Sequence, residues 1–302
     1  MQEIARDVAL VSMPMSNAYL VGNATNWVLV DTGIPGSTKT IREAAEARFG
    51  LSSKPRAIIL THGHGDHAGS AAELADLWNV RVYSHKMGLP YITGKSPFPE
   101  KDITAPGAFS FLMRFFPFLA VNLGSRVEAW DGDFSLFQIP GWRTIETPGH
   151  APGHISFFRE EDRVLLVGDA FVTMNTDSLT DMITRRPVLS RTLPAVTYDW
   201  QQAITSVHKL AGLKPSLVAT GHGAPMQLVP NELKTFAENL RVPSHGRYVR
   251  QPAVVDENGV VSLPPKPPDR FVRATVGVSA ALLAIGFASL LIHKPKKSSS
   301  GT

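Results

Sequence analysis

The 302 residues are 43% apolar, enough for a large buried core, and contain no cysteine, which excludes disulfides and thiolate metal ligands. The net charge of +4 is concentrated at one end: Lys266, Arg270, Arg273, Lys294, Lys296 and Lys297 against Asp269 give the stretch from Pro264 onward +5, leaving about −1 for residues 1–263. A body of that charge lacks the cationic surface needed to bind a phosphate backbone, so nucleic acid is not an expected partner.

The first thirty residues alternate short β-rich runs, Val8–Ser12, Ala18–Gly22 and Trp27–Asp31, with Asn, Gly and Pro breaks, as consecutive strands do. Arg6 and Asp7 interrupt any apolar stretch of the kind export requires, so no signal peptide is expected. A helix is expected over Ser37–Phe49, a buried strand over Ala57–Leu60 and a second helix over Ala68–Trp78. Arg126 to Val167 reads as strands again, and Val196 to Leu240 as helix, strand and helix. That order points to two mixed sheets packed face to face with helices outside.

Two segments interrupt this plan and are candidate walls for a substrate. Residues 106–123 (PGAFSFLMRFFPFLAVNL) hold five phenylalanines in eighteen positions and read either as a hydrophobic lid, touching an acyl chain or a bilayer, or as an additional core helix. The second, Phe171 to Tyr198, contains Arg185, Arg186 and Arg191. Beyond a catalytic domain over 1–243, residues 244–270 read as a linker stiffened by Pro264, Pro265, Pro267 and Pro268. Residues 271–293 read as a transmembrane helix, with nineteen uncharged residues from Ala274 to Ile292, and 294–302 as a basic, polar tail. At ~1.5 Å per residue the apolar run nearly matches a bilayer core. The expectation is a membrane protein with a single C-terminal anchor and a cytoplasmic catalytic body; an interfacial helix or a soluble cytoplasmic chain is the alternative.

The sequence THGHGDHAGS, Thr61 to Ser70, places His62, His64, Asp66 and His67 within six positions, directly after the apolar run Ala57–Leu60. Imidazole nitrogen and carboxylate oxygen suit zinc and similar divalent ions. A merely solvated histidine loop is the weaker reading, because further donors recur at the ends of predicted strands: His150 in TPGHAPGH, Asp169 in LLVGDA and His222 in VATGHG. His62 and His64, two apart on extended backbone, project from one face and can grip one ion, while Asp66 and His67 point elsewhere.

Taken in order, these residues spell H-x-H-x-D-H, then H, D and H, and over about the first 240 positions the chain resembles the metallo-β-lactamase superfamily. The VDTG of Val30–Gly33 matches a loop that this family places at the floor of its site. The resemblance implies an α+β fold, a four-layer αββα sandwich, here followed by the C-terminal hydrophobic helix. It implies two divalent ions, with zinc, iron and manganese all compatible with the donors. His62, His64 and His150 would hold the first; Asp66, His67 and His222 the second; Asp169 would bridge them. The implied chemistry is attack by a hydroxide held between the ions on an ester, thioester or lactone of a small acyl substrate, with Asp66 as the catalytic proton carrier.

Within the superfamily, the absence of cysteine excludes β-lactamases with a second-site Cys, and Asp169 disfavours those that use histidines alone. His64 stands where the diiron oxygen reductases carry glutamate, and no flavodoxin-like module follows, so redox chemistry is disfavoured too. Glyoxalase-II-like thioesterases and quorum-quenching lactonases remain. Ala170 and Phe171 occupy positions near which such lactonases often carry a tyrosine. The alternatives are an acyl-homoserine-lactone-type lactonase and a non-catalytic, membrane-tethered protein that keeps its metals. His154 is expected to support the site rather than ligate, and Asp31 to fix a ligand histidine or form a turn. His85, His208, His245 and His293 read as surface or packing residues.

Overall fold

A computed structural model describes residues 1–269 apart from Phe118 and Arg185. Its first seven strands form one mixed sheet in chain order: β1 (Gln2–Ala5), β2 (Val8–Ser12), β3 (Asn17–Gly22), β4 (Trp27–Val30), β5 (Ile58–Ile59), β6 (Val82–Ser84) and β7 (Val127–Ala129). The pairs from β1 to β4 are antiparallel, and those from β4 to β7 are parallel. Helices α1 (Thr38–Phe49), α2 (Gly65–Ala68) and α3 (Ala71–Trp78) fall among the parallel crossovers, followed by the short α4 (Leu89–Ile92) and α5 (Ala108–Leu112).

A second mixed sheet contains β8 (Trp142–Glu146), β9 (Ile155–Arg159) and β10 (Val164–Gly168). The chain then leaves it for a separate ribbon, β11 (Phe171–Met174) with β12 (Pro187–Arg191), which encloses α6 (Leu179–Thr184). After α7 (Trp200–Gly212), β13 (Leu217–Thr220) returns parallel to β10, β14 (Met226–Gln227) closes the edge, and α8 (Glu232–Asn239) follows.

Period-two alternation explains the layers. Ala9, Val11, Ala18, Leu20, Trp27 and Leu29 face Ile41, Leu74 and Trp78 of α1 and α3 in one core. Their neighbours Val8, Leu10, Tyr19, Val21, Val28 and Val30 meet Phe157, Leu166 and Ala219 of the second sheet in another. On that sheet's far side, Phe158, Leu165, Val167 and Val218 pack on Val207, Leu210 and Leu233 of α7 and α8. Strands covered on both faces read as nearly continuous apolar runs, as these do. The expected αββα order is present.

The predicted helix over Ala68–Trp78 is divided at Gly69 and Ser70 into α2 and α3. Residues 244–264, expected as linker, carry a hairpin of β15 (Val254–Asp256) and β16 (Gly259–Ser262), and Tyr248 and Ala253 are buried with Tyr198 and Trp200. This compact unit runs from Met1 to Pro265. The expected hydrophobic helix at 271–293 lies outside the described residues, and among the described residues no helix is long and apolar enough to cross a membrane.

Candidate metal centre

All seven predicted donors come together where strand ends of the two sheets meet. Ile155 N–H donates to Thr61 O at 2.9 Å, and Gly221 N–H to Gly168 O at 2.8 Å, tying the loops that carry them. His62 Nε2, His64 Nδ1 and His150 Nε2 converge, with His64 Nδ1 lying 3.1 Å from each of the other two. A second group joins Asp66, His67 and His222, with His222 Nε2 3.3 Å from Asp66 Oδ2. Between the groups lies Asp169, whose Oδ2 is 3.5 Å from His150 Nε2, 3.5 Å from His67 Nε2 and 3.0 Å from His222 Nε2.

The opposite edges of the rings set their tautomers. His222 Nδ1 donates to Met15 O at 2.7 Å, and a carbonyl only accepts, so Nε2 turns a lone pair inward in the neutral ring. His67 Nδ1 donates to Asp31 Oδ2 at 2.8 Å, while Thr61 N–H and Oγ1 donate to the Asp31 carboxylate at 2.8 and 2.7 Å. Thr61 Oγ1 therefore accepts from His62 Nδ1 at 3.1 Å. His150 Nδ1 meets Thr192 Oγ1 at 2.8 Å. Asp31 thus takes the role of fixing a histidine, and does so with a left-handed backbone, φ +60°.

These residues fit a metal site. Three imidazole nitrogens that converge, His64 Nδ1 at 3.1 Å from each of the other two, cannot all be satisfied by shared hydrogens, whereas one ion accepts all three lone pairs. His67 Nε2 and Asp169 Oδ1 are buried without a hydrogen-bond partner among the described residues, and His222 Nε2 meets Asp169 Oδ2 at 3.0 Å without the alignment of a hydrogen bond. Such orphaned donors and acceptors are costly unless a ligand takes them up.

Electrostatics divides the histidines in the same way. Burial, reinforced by neighbouring rings, drives His62 and His150 well below the usual histidine pKa and His64 down to about 4. Burial also opposes a proton on His67 and His222, but the carboxylates, Asp169 foremost, outweigh it; His67 lies well above the ordinary value and His222 is raised to about 10. Asp66 and Asp169 are held below the carboxylate range, because charge on His67 and His222 overcomes their own burial.

His154 stays outside the donor groups, with both nitrogens engaged: Nε2 accepts Asp169 N–H at 2.8 Å and Nδ1 meets Thr147 Oγ1 at 2.8 Å. Of the remaining histidines, His85 accepts from Met87 N–H, His245 meets Ser244 Oγ, His208 is exposed, and His293 lies outside the described residues. Sequence reasoning missed Thr192, the Met15 carbonyl and Phe98, which stands edge-on to the His64 ring at 4.9 Å. It also missed Gly221, where a Cβ would lie 2.1 Å from Asp169 Oδ1. A glycine directly before a candidate donor was the available signal.

Residues 13–222 match the family model described as Metallo-beta-lactamase superfamily. The probable metallo-hydrolase YflN of Bacillus subtilis (strain 168) is 38% identical over 228 residues, 74% of this chain and 86% of that protein. The probable metallo-hydrolase YybB of the same organism is 27% identical over 208 residues, 68% and 80% of the two chains. An archaeal metallo-beta-lactamase superfamily protein from Sulfolobus tokodaii has a similar fold, with TM-score 0.53 and 22% identity, covering 78% of this chain and 86% of that one. The chain belongs to the metallo-beta-lactamase superfamily and is a metallo-hydrolase, with the histidine and aspartate cluster as its candidate metal site.

Proposed function

We propose that the chain is a dinuclear metallo-hydrolase that cleaves an ester, thioester or lactone of a small acyl substrate. The observation that carries this reading is Asp169 Oδ2, one oxygen within 3.5 Å of ring nitrogens from both donor groups. His62, His64 and His150 would hold one ion, and Asp66, His67 and His222 the other. When bound, the ions supply a Lewis acid for the scissile carbonyl and water acidic enough to attack near neutral pH. Asp66 is the most open carboxylate of the set, anionic and beside His222, so it is placed to accept the proton of the attacking water and pass it to the leaving group. Asp31, Thr61, Thr192 and the Met15 carbonyl hold the rings in orientation. The C-terminal membrane tether belongs to the same proposal on sequence alone, from the uncharged run Ala274–Ile292; recovery of the full chain in the soluble fraction without detergent removes it.

Metal analysis of the purified chain should give about two ions per molecule. His64→Ala and Asp169→Ala should each abolish hydrolysis across a panel of acyl thioesters, esters and lactones while circular dichroism stays native. Retained turnover in both variants rejects the mechanism.

A further inference from the structure

Two points of the stretch from Phe98 to Leu119 touch the histidine loop. Phe98 lies edge-on to His64 with centroids 4.9 Å apart, and stacks on Tyr91 at 4.6 Å. Leu119 packs so closely on Gly65 that a Cβ there would lie 2.3 Å from Leu119 Cβ. Between these anchors the chain arches through α5 and leaves Phe115 and Phe116 64% and 58% exposed, with Phe111 exposed beside Phe115. Phe111, Phe115 and Phe116 are therefore not part of a core helix.

The arch is a fixed frame. Lys101 Nζ donates to the carbonyls of Met113 and Phe116, Arg114 to Ile103 O, and the N–H groups of Ala108 and Phe109 to Asp177 O and Thr176 O. Residues after 244 hold its start and the segment just before it: Arg247 N–H donates to Asp102, Tyr248 Oη–H to Glu100 O at 2.7 Å, and Val260 N–H to Ser96 Oγ at 3.1 Å. Aromatic rings held in water by such a frame forgo the burial that drives folding, which marks them as a surface meant to be covered.

What covers them follows from where the frame ends. Both anchors rest on the loop bearing His64 and Asp66, so Phe98 and Leu119 border the candidate site, and Phe115 and Phe116 precede Leu119 by only four and three residues. Between Pro106 and Leu123 the one charged residue is Arg114, which donates to Ile103 O and lies over the Phe111 ring at 5.7 Å, so the stretch is otherwise apolar or uncharged and suits an aliphatic occupant. We propose that Phe98, Leu119, Phe115 and Phe116 seat the linear aliphatic chain of the substrate, making medium- and long-chain acyl esters and thioesters the preferred class. This rests on the hydrolase reading above and narrows it.

The test uses the full chain, with its metal content measured, on S-acyl N-acetylcysteamine thioesters from acetyl to decanoyl. The expected kcat/KM rises roughly twofold per added methylene, as for a chain covered on one side. Phe115→Ser with Phe116→Ser should lower the decanoyl-to-acetyl ratio at least about tenfold, with Leu119→Ser as an independent variant. By calorimetry, decanoate should bind the parent protein and bind the double variant about tenfold more weakly. A flat chain-length profile in an enzyme that hydrolyses the acetyl thioester overturns the seat and leaves the hydrolase reading standing. Failure to hydrolyse any thioester, ester or lactone overturns that reading and the seat with it. A flat profile with Phe115- and Phe116-dependent sedimentation on phosphatidylcholine vesicles overturns the seat in favour of a lipid surface.

Discussion

His154 holds Asp169 from behind: its Nε2 accepts the Asp169 backbone N–H at 2.8 Å, and its Nδ1 is tied to Thr147 Oγ1 at the same distance. Burial lowers the His154 pKa to about 3, so Nε2 remains an acceptor through neutral and mildly acidic pH. Replacing it by alanine removes no candidate ligand but leaves a buried N–H unsatisfied beside the residue placed between the two donor groups. His154→Ala should weaken metal binding roughly 10–100-fold, measured by competition with a chelator of known affinity. Unchanged affinity would mean that Asp169 does not depend on this support.

Metal uptake should release protons. In the metal-free protein His67 and His222 carry protons, His222 with a pKa of about 10, and an ion at Nε2 must displace them. His62, His64 and His150 are already neutral at that pH. Binding of two divalent ions at neutral pH should therefore release about two protons from these rings, and affinity should fall roughly tenfold per titrating ring for each unit of decreasing pH. The sign for the metal-free fold is opposite: raised histidine pKa values support it fully below about pH 6.5, the unfolded value, and that support fades as pH climbs through about 10. Calorimetry in two buffers of different ionisation enthalpy counts the protons, and a count near zero contradicts the charge assignment.

Gly221 has no room for a side chain. A Cβ there would lie 2.1 Å from Asp169 Oδ1 and 2.5 Å from His67 Cε1, so one of these residues must move. Displacement on the order of 1 Å at a reacting centre can lower turnover ~100-fold, which is the expected effect of Gly221→Ala on kcat. Gly212→Ala is the control, because nothing lies within 4 Å of that position and it is helical. Equal activity of the two variants would refute the crowding argument.

The legible and illegible parts of this chain differ in physical range. Strands such as Val8–Ser12 and Trp27–Val30 announce themselves because the alternating faces both need apolar residues. The seven donors were legible because His62 to His67 form a dense motif after a buried strand, and because His150, Asp169 and His222 each follow a glycine at a strand end or turn. Their supports were not. Thr192 reaches His150 across 42 positions, and the acceptor for His222 is a backbone carbonyl 207 positions away, which no side-chain identity encodes. Proline content made 244–270 read as linker, although Tyr248 within it is buried.

That buried tyrosine permits a direct test of where the folded body ends. Tyr248 is 2% exposed, packs with Tyr198, Trp200 and Ala253, and donates to Glu100 O at 2.7 Å. Truncation of a buried aromatic side chain costs about 3–5 kcal/mol, and each kcal/mol lowers Tm by roughly 2–4 °C in a domain of this size. Tyr248→Ala in the full chain should therefore reduce Tm by about 6–20 °C. The loss of the Glu100 contact should also loosen the stretch that places Phe98 beside His64, so KM should rise with the metal content unchanged. Were 244–264 a solvated linker, the substitution would shift Tm by less than about 1 °C, and a differential scanning measurement separates the two outcomes.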